Sequence, residues 1–180
     1  MDYQAYYGWV YQMSHHWVYQ HTFILWLAIK AKLCTQDKLA RWFPNKSYTC
    51  SLCGKGNDSH DHLFFNCDFA CEVWAKVCDI AKIEFQKTTW VVTVENLSKK
   101  NNGRNIWAVI RKISVAAAVY HIWKERNNRL FNNCKRSTEE VFGALCEELR
   151  GKMTTITVKQ SANVCEAEEL WNVKFQRKNV

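Results

Sequence analysis

The chain has 180 residues with a formal net charge of +8 at pH 7, and 48% of its residues are hydrophobic. One proline and nine tryptophans exclude a wholly disordered chain and predict one domain, or one domain with a tail, that buries a real core. Nine cysteines are an odd number, which excludes a fully paired disulfide framework. The sequence shows neither a secretion signal nor a long uncharged apolar run. We therefore expect an intracellular protein of the nucleus or cytoplasm, without a membrane role and with reduced thiols.

The first segments of the chain are aromatic and then helical. Residues 1–20 form an aromatic lead-in without a clean period, which we expect to be truncated and to pack on a neighbouring domain. Residues 21–33 predict a helix that is apolar around most of its circumference and therefore substantially buried. Thr35 offers an N-cap for a second, short helix over residues 38–42, which Pro44 ends.

The next stretch carries the densest chemical pattern. Cys50 and Cys53 are separated by two residues, His62 follows after eight more, and Cys67 follows after another four. Three thiolates and one imidazole fill a tetrahedral Zn²⁺ shell. The glycines just after Cys53 let the backbone turn tightly around both sulfurs, because glycine has no penalty at positive φ. The spacing predicts a zinc knuckle that holds one Zn²⁺, with the aromatic residues after His62 buried away from the metal.

Two alternative ligands stay open. His60 lies two residues before His62, and Cys71 lies four residues after Cys67. We prefer His62 and Cys67 because bulky apolar residues pack directly after each ligand loop in compact zinc modules. The plainest alternative is a set of buried free thiols and a surface histidine, with no metal.

Helical patterns dominate the rest of the chain. A third amphipathic helix is predicted over residues 70–85, with Cys78 in or beside its packed face. Residues 88–94 are β-branched, and we interpret them as an extended connection before a polar loop over 99–103. The longest helical pattern follows over 104–131. Ser137 and Glu140 then form a capping box for a last helix to about residue 152, and residues 154–180 are weakly patterned and partly mobile.

Positive charge is concentrated between residues 99 and 136, where ten Lys or Arg occur with one acid, Glu125. Because the zinc segment is itself acidic, any attraction to the phosphates of RNA or DNA must come from this basic stretch. We predict non-specific phosphate contacts by six residues: Arg104, Arg111, Lys112, Lys124, Arg126 and Arg129. The alternative is that this basic stripe is the solvated face of a structural or protein-interaction module.

Several of these motifs together carry a resemblance to a known family. They are the run 21–39, the Cys50–Cys53 pair, the segment 61–67 and Val73-Trp74. Their order and spacing resemble the zinc-binding domain downstream of the reverse transcriptase in plant non-LTR retrotransposons. The stretch 122–131, Ile-Trp-Lys-Glu-Arg-Asn-Asn-Arg-Leu-Phe, is similar to the signature that closes many of those proteins.

That resemblance covers residues 20–132 and implies several properties. It assigns one zinc ion to the four ligands preferred above, core positions to Trp26 and Trp74, and an upstream reverse transcriptase domain as a partner. One departure is Cys34, which stands where most relatives have a proline, so a rigid helix boundary is lost.

Catalysis is not expected. Polymerases need paired aspartates that hold two Mg²⁺, and no Asp-Asp pair occurs in the chain. A zinc ion with four protein ligands has no open position for water, and no small-molecule substrate is expected. The enzyme alternative is a cysteine nucleophile, Cys71 or Cys78, with His60 as its base.

The sequence thus predicts a mainly α fold, a small helical domain built around a Cys3His zinc knuckle with a long basic C-terminal helix. The predicted organisation is a lead-in over 1–20, a zinc-binding helical domain over 21–132, and a C-terminal helix with a weakly ordered tail over 133–180.

Overall fold

The computed structural model describes residues 15–45, 48–84 and 105–178. Within these residues the α-helices are α1 (His15–Ile29), α2 (Asp68–Ile80), α3 (Ile106–Phe131), α4 (Thr138–Met153) and α5 (Ala162–Trp171). A 3₁₀-helix (Gln36–Arg41), a π-helical turn (His62–Asn66) and two short parallel strands, β1 (Thr157–Val158) and β2 (Gln176–Arg177), complete the described elements. The prediction of a mainly α fold is confirmed.

Helix α3 is the centre of the fold, since α1, α2, α4 and α5 all pack against it. It begins after Asn105, whose side chain accepts a hydrogen bond from the Ala108 N–H at 2.8 Å. Its length and composition would suffice to cross a membrane, yet 72% of its most apolar stretch is buried inside the fold. In this structure α3 is therefore a core helix.

Helix α1 lies against α3 and buries Leu25 and Ala28. It ends earlier than predicted, because Ala31 adopts a left-handed backbone with φ of 49°. Of the two tryptophans expected in the core, Trp74 is 3% exposed, whereas Trp26 is only partly buried. The second predicted helix is present as the 3₁₀-helix, and Thr35 is its N-cap residue without a side-chain capping bond.

Helices α2 and α4 follow their sequence patterns closely. Helix α2 buries Val73, Trp74, Val77 and Cys78, as its amphipathic period predicts. It ends at Ile80, five residues before the predicted end. The capping box of α4 is confirmed, since the Ser137 hydroxyl accepts from the Glu140 N–H at 3.1 Å and the Glu140 carboxylate accepts from the Ser137 N–H at 2.7 Å.

The C-terminal region is more ordered than its weak pattern predicts. Residues 154–178 contain β1, α5 and β2, and the core includes Val164, Trp171 and Phe175. Trp171 has no exposed surface. Glu168 joins these pieces, because its carboxylate accepts from the Phe175 N–H at 3.0 Å and from Arg177 at 2.9 Å. The predicted connection over 88–94, the loop over 99–103, the lead-in before residue 15 and Arg104 lie outside the described residues.

Candidate metal centre

The first two cysteines lie on a short antiparallel turn. Thr49 and Asn57 form a β-bridge across it, and the Cys50 N–H donates to the Gly56 carbonyl at 3.0 Å. Gly54 and Gly56 have φ of 68° and 62°, as the predicted tight turn requires. A Cβ on Gly56 would also lie 3.1 Å from the imidazole of His62. Glycine at 56 is therefore needed both for its backbone conformation and for its closeness to a ligand.

The second pair of ligands flanks the π-helical turn. The Cys67 N–H donates to the His62 carbonyl at 2.7 Å, which closes the turn and brings both side chains to one side. Phe64 and Phe65 lie between them and are 0% and 3% exposed, so the predicted burial of this aromatic pair is confirmed. Cys67 is also the N-cap residue of α2, and the positive end of a helix dipole favours a thiolate there.

These two turns place the four predicted side chains in one cluster. The ligand atoms of Cys50, Cys53, His62 and Cys67 all lie within 4.8 Å of one another. The sulfurs of Cys50 and Cys67 are 3.9 Å apart, and Cys53 Sγ lies 3.3 Å from His62 Nε2. A tetrahedral zinc site with Zn–S bonds of about 2.3 Å has S···S edges of about 3.8 Å and S···N edges of about 3.6 Å. The cluster is therefore positioned to hold one metal ion, and His62 would bind it through Nε2.

The two buried thiols, Cys50 and Cys67, lie against each other. The side-chain hydrogen bond between their sulfurs lowers the pKa of Cys50 and raises the pKa of Cys67. Zinc binds thiolates, so binding of Zn²⁺ at this cluster would release protons from these thiols. Cys50 and Cys67 are 1% and 0% exposed, whereas Cys53 and His62 are partly exposed, so the cluster reaches the surface on one side only.

The alternative ligands lie elsewhere. His60 packs edge-on against Phe64, with ring centroids 5.2 Å apart, and Cys71 donates to the Phe65 carbonyl at 3.2 Å. Neither belongs to the four-residue cluster. Burial also raises the pKa of Cys78 to about 12, which disfavours the thiolate that a cysteine nucleophile needs.

Ion pairs connect the end of α3 with the zinc knuckle and with the segment before α4. We call the residues that form them the knuckle clamp: Asp58, Glu125, Arg126, Arg129 and Arg136. Its first half joins Arg126 and Asp58, which are 2% and 0% exposed. The Arg126 guanidinium donates to the Asp58 carboxylate, with Nε at 3.2 Å from Oδ2, and the Gln36 N–H donates to the same oxygen at 3.0 Å. Asp58 lies between the two ligand turns, so this ion pair anchors the loop that joins Cys53 to His62.

The second half of the knuckle clamp is centred on Glu125. Arg129 donates to its carboxylate at 2.8 Å and to the Leu52 carbonyl, inside the Cys-x2-Cys turn, at 2.7 Å. Arg136 donates to the other oxygen of Glu125 at 2.9 Å. Burial raises the pKa of Glu125, but the hydrogen bonds from Arg129 and Arg136 outweigh this and hold it below its usual value.

The clamp corrects part of the predicted phosphate-binding surface. Arg126 is buried against Asp58, and Arg129 is bound to Glu125 and to backbone carbonyls, so neither presents a free guanidinium to a phosphate. The prediction missed this because charged residues along a helix are usually solvated. The signal present in the sequence was the i,i+4 spacing of Glu125 and Arg129 within the similar stretch 122–131.

The other predicted phosphate contacts do not form one patch among the described residues. Arg111 donates to the Lys82 carbonyl at 3.2 Å, and partial burial lowers the pKa of Lys112. Lys124 is exposed and lies over the Tyr120 ring at 5.6 Å. From Arg111 to Lys124 the helix advances by about 20 Å and turns so that the two point roughly 140° apart.

Comparison with known proteins relates the knuckle to one family model. No curated protein and no solved structure matches the chain. A family model described as zinc-binding in reverse transcriptase matches residues 4–74, which include the whole Cys3His cluster and end at Trp74. The similarity of residues 122–131 to the closing signature lies beyond that match and stays a prediction, as does the plant origin. Residues 4–74 are thus similar to the zinc-binding domains in reverse transcriptases, and over this part of the chain the resemblance found in the sequence is confirmed.

Proposed function

We propose that the chain is a non-catalytic zinc module of a reverse transcriptase, in which one structural Zn²⁺ is held by Cys50, Cys53, His62 and Cys67. The observation that carries this proposal is the convergence of those four ligand atoms within 4.8 Å. Four protein ligands complete a tetrahedral shell and leave no position for a reacting water, as in structural zinc sites. The absence of an Asp-Asp pair from the sequence also argues against polymerase chemistry.

The role of the metal is to fold the knuckle and, through the knuckle clamp, to hold the end of α3. The ion would join two pieces of the chain, the turn that carries Cys50 and Cys53 and the π-helical turn that leads from His62 into α2. Arg129 reaches from α3 to the Leu52 carbonyl inside the first of them. Zinc binding and the position of α3 are therefore coupled, because each stabilises the same loop.

The setting follows from the family and from the thiols. We propose that the module works beside an upstream reverse transcriptase domain of a plant retrotransposon polyprotein. All nine cysteines lie in the described residues, and none forms a disulfide. This supports an intracellular, reducing compartment, in which thiolates remain able to bind zinc.

Metal content of the purified full chain tests the ligand assignment. We expect one equivalent of zinc at the knuckle, lost in Cys67→Ser and kept in Cys71→Ser. The matched histidine control is His60→Ala, which should keep the ion, against His62→Ala, which should weaken its binding. Full zinc retention in Cys67→Ser together with loss in Cys71→Ser would show that the ligand set is wrong.

A second candidate function is weak, non-specific binding to RNA or DNA. The net charge of +8 favours it, and Lys124 keeps an exposed ammonium group. We propose that Arg111, Lys112, Lys124 and Arg104 supply the contacts, without Arg126 and Arg129. Because Arg111 and Lys124 point roughly 140° apart, one or two contacts at a time to a single strand predict a slope of about −0.7 to −1.4 for the logarithm of affinity against the logarithm of salt concentration.

Titration of a single-stranded oligonucleotide at several salt concentrations separates this function from its alternative. Binding that weakens with that slope, and that falls further in Lys124→Ala, supports the phosphate contacts. Absent binding at low salt, or binding that does not respond to salt, leaves a purely structural or protein-interaction module.

A further inference from the structure

Three helices bring a second set of metal-ligating side chains together, apart from the knuckle ligands. His21 lies on α1, His121 on α3 and Glu148 on α4. The two histidines are 2% and 3% exposed, and the Glu148 side chain is 30% exposed. We call these three residues the His-Glu-His cluster.

The two imidazoles converge on one carboxylate. His21 Nε2 lies 2.8 Å from Oε1 of Glu148, and His121 Nε2 lies 2.9 Å from Oε2. The three ligand atoms lie within 4.8 Å of one another. Each histidine therefore directs its Nε2 at a different oxygen of the Glu148 carboxylate. The cluster thus offers two imidazole nitrogens and one carboxylate as ligands.

We propose that the His-Glu-His cluster is a second metal site, which takes one Zn²⁺ or a similar divalent transition metal ion. Two imidazoles and one carboxylate form a ligand set that zinc uses in proteins, with water in the fourth position. The partly exposed side of Glu148 is where that water would enter. This site is independent of the knuckle, since it shares no residue with the Cys3His cluster.

The burial of the cluster supports a ligand role. Polar side chains placed between packed helices lose hydration, and this loss must be offset by bonds. Nδ1 of His121 has no partner among the described residues, so the burial of this imidazole is offset only through Nε2, the atom that would bind the metal. Two metal–nitrogen bonds and one metal–oxygen bond would supply a larger compensation than two hydrogen bonds.

Metal entry needs a small expansion of the cluster. A tetrahedral zinc site with bonds of about 2.0–2.1 Å has N···O edges of about 3.3 Å, longer than the two present separations. Glu148 can supply this movement, because it is the most exposed of the three side chains. The two histidines, which are held within the core, would keep their positions.

The test uses the full chain and Co²⁺ as a spectroscopic probe, with zinc stoichiometry measured in parallel. Cobalt at the knuckle gives thiolate-to-metal charge-transfer bands, whereas cobalt held by imidazole and carboxylate does not. We expect a second equivalent that adds visible bands without charge transfer. We also expect two equivalents of zinc in the unaltered chain.

The variants assign that second equivalent to the cluster. His121→Gln keeps an N–H that can donate to Glu148 but removes a good metal ligand, and Glu148→Gln changes the more exposed partner. Both should bind one equivalent, while the control His60→Gln should bind two. If His121→Gln does not fold, Glu148→Gln and the unaltered chain still decide the outcome.

Two results would overturn the proposal. One is a single equivalent of cobalt and of zinc in the unaltered chain, which would mean that the cluster is only a hydrogen-bonded triad. The other is a second equivalent that survives in both variants, which would place it elsewhere. Cys67→Ser distinguishes the two sites, because it should remove the metal ion bound at the knuckle and leave the ion bound without thiolate ligands.

Discussion

Replacing Arg126 tests whether the knuckle clamp is structural. In Arg126→Ala the carboxylate of Asp58 would stay buried, with only the Gln36 N–H at 3.0 Å in place of the guanidinium. Removing one partner of a buried ion pair typically costs about 3–5 kcal/mol. The variant also loses the contact of the guanidinium with the Trp123 ring at 4.7 Å. A domain of this size is stable by about 5–15 kcal/mol, so the loss amounts to about a fifth of that stability or more.

The assay is denaturant unfolding of the zinc-saturated chain at a fixed zinc concentration, followed by tryptophan fluorescence. The matched control is Lys124→Ala, two positions away, because that ammonium is exposed and its removal should change the free energy of unfolding by less than about 0.5 kcal/mol. A double-mutant cycle of Arg126→Gln with Asp58→Asn should cost clearly less than the sum of the single changes. A loss below about 1 kcal/mol in Arg126→Ala would refute the clamp and return Arg126 to the phosphate-binding surface.

Three further predictions concern the same architecture. Gly56→Ala should weaken zinc binding more than Gly54→Ala. Both glycines have positive φ, but only a Cβ at position 56 would lie close to the His62 ring, at 3.1 Å. Equal effects of the two variants in a zinc competition titration would contradict this. Arg129→Lys keeps the charge but loses the guanidinium fork, and should cost about 1–3 kcal/mol by urea unfolding; an unchanged midpoint would count against its bridging role. Ser137→Ala removes a capping bond and should cost about 0.5–2 kcal/mol while zinc content stays the same; altered zinc content would show coupling that the structure does not predict.

The zinc ligands could be assigned from the sequence because their geometry is local. Cys50 and Cys53 lie on one glycine-supported turn, and His62 and Cys67 lie on another, so spacing alone limits where each side chain can point. The same is true of the capping box at Ser137, which spans a single helical turn. Such patterns persist whatever the rest of the chain does, because backbone geometry over a few residues leaves little choice.

The sequence was less informative where a residue's role depends on a distant partner. Arg126 and Asp58 are 68 positions apart, and His21 and Glu148 are farther apart still, so no local pattern pairs them. The sequence pattern of a charged residue on a helix is the same whether its side chain is solvated or is paired with a buried carboxylate. Spacing along the chain therefore determined which atoms can bind the knuckle metal. Packing of α1, α3 and α4 decided which charges became structural, because burial and pairing exist only once the helices meet.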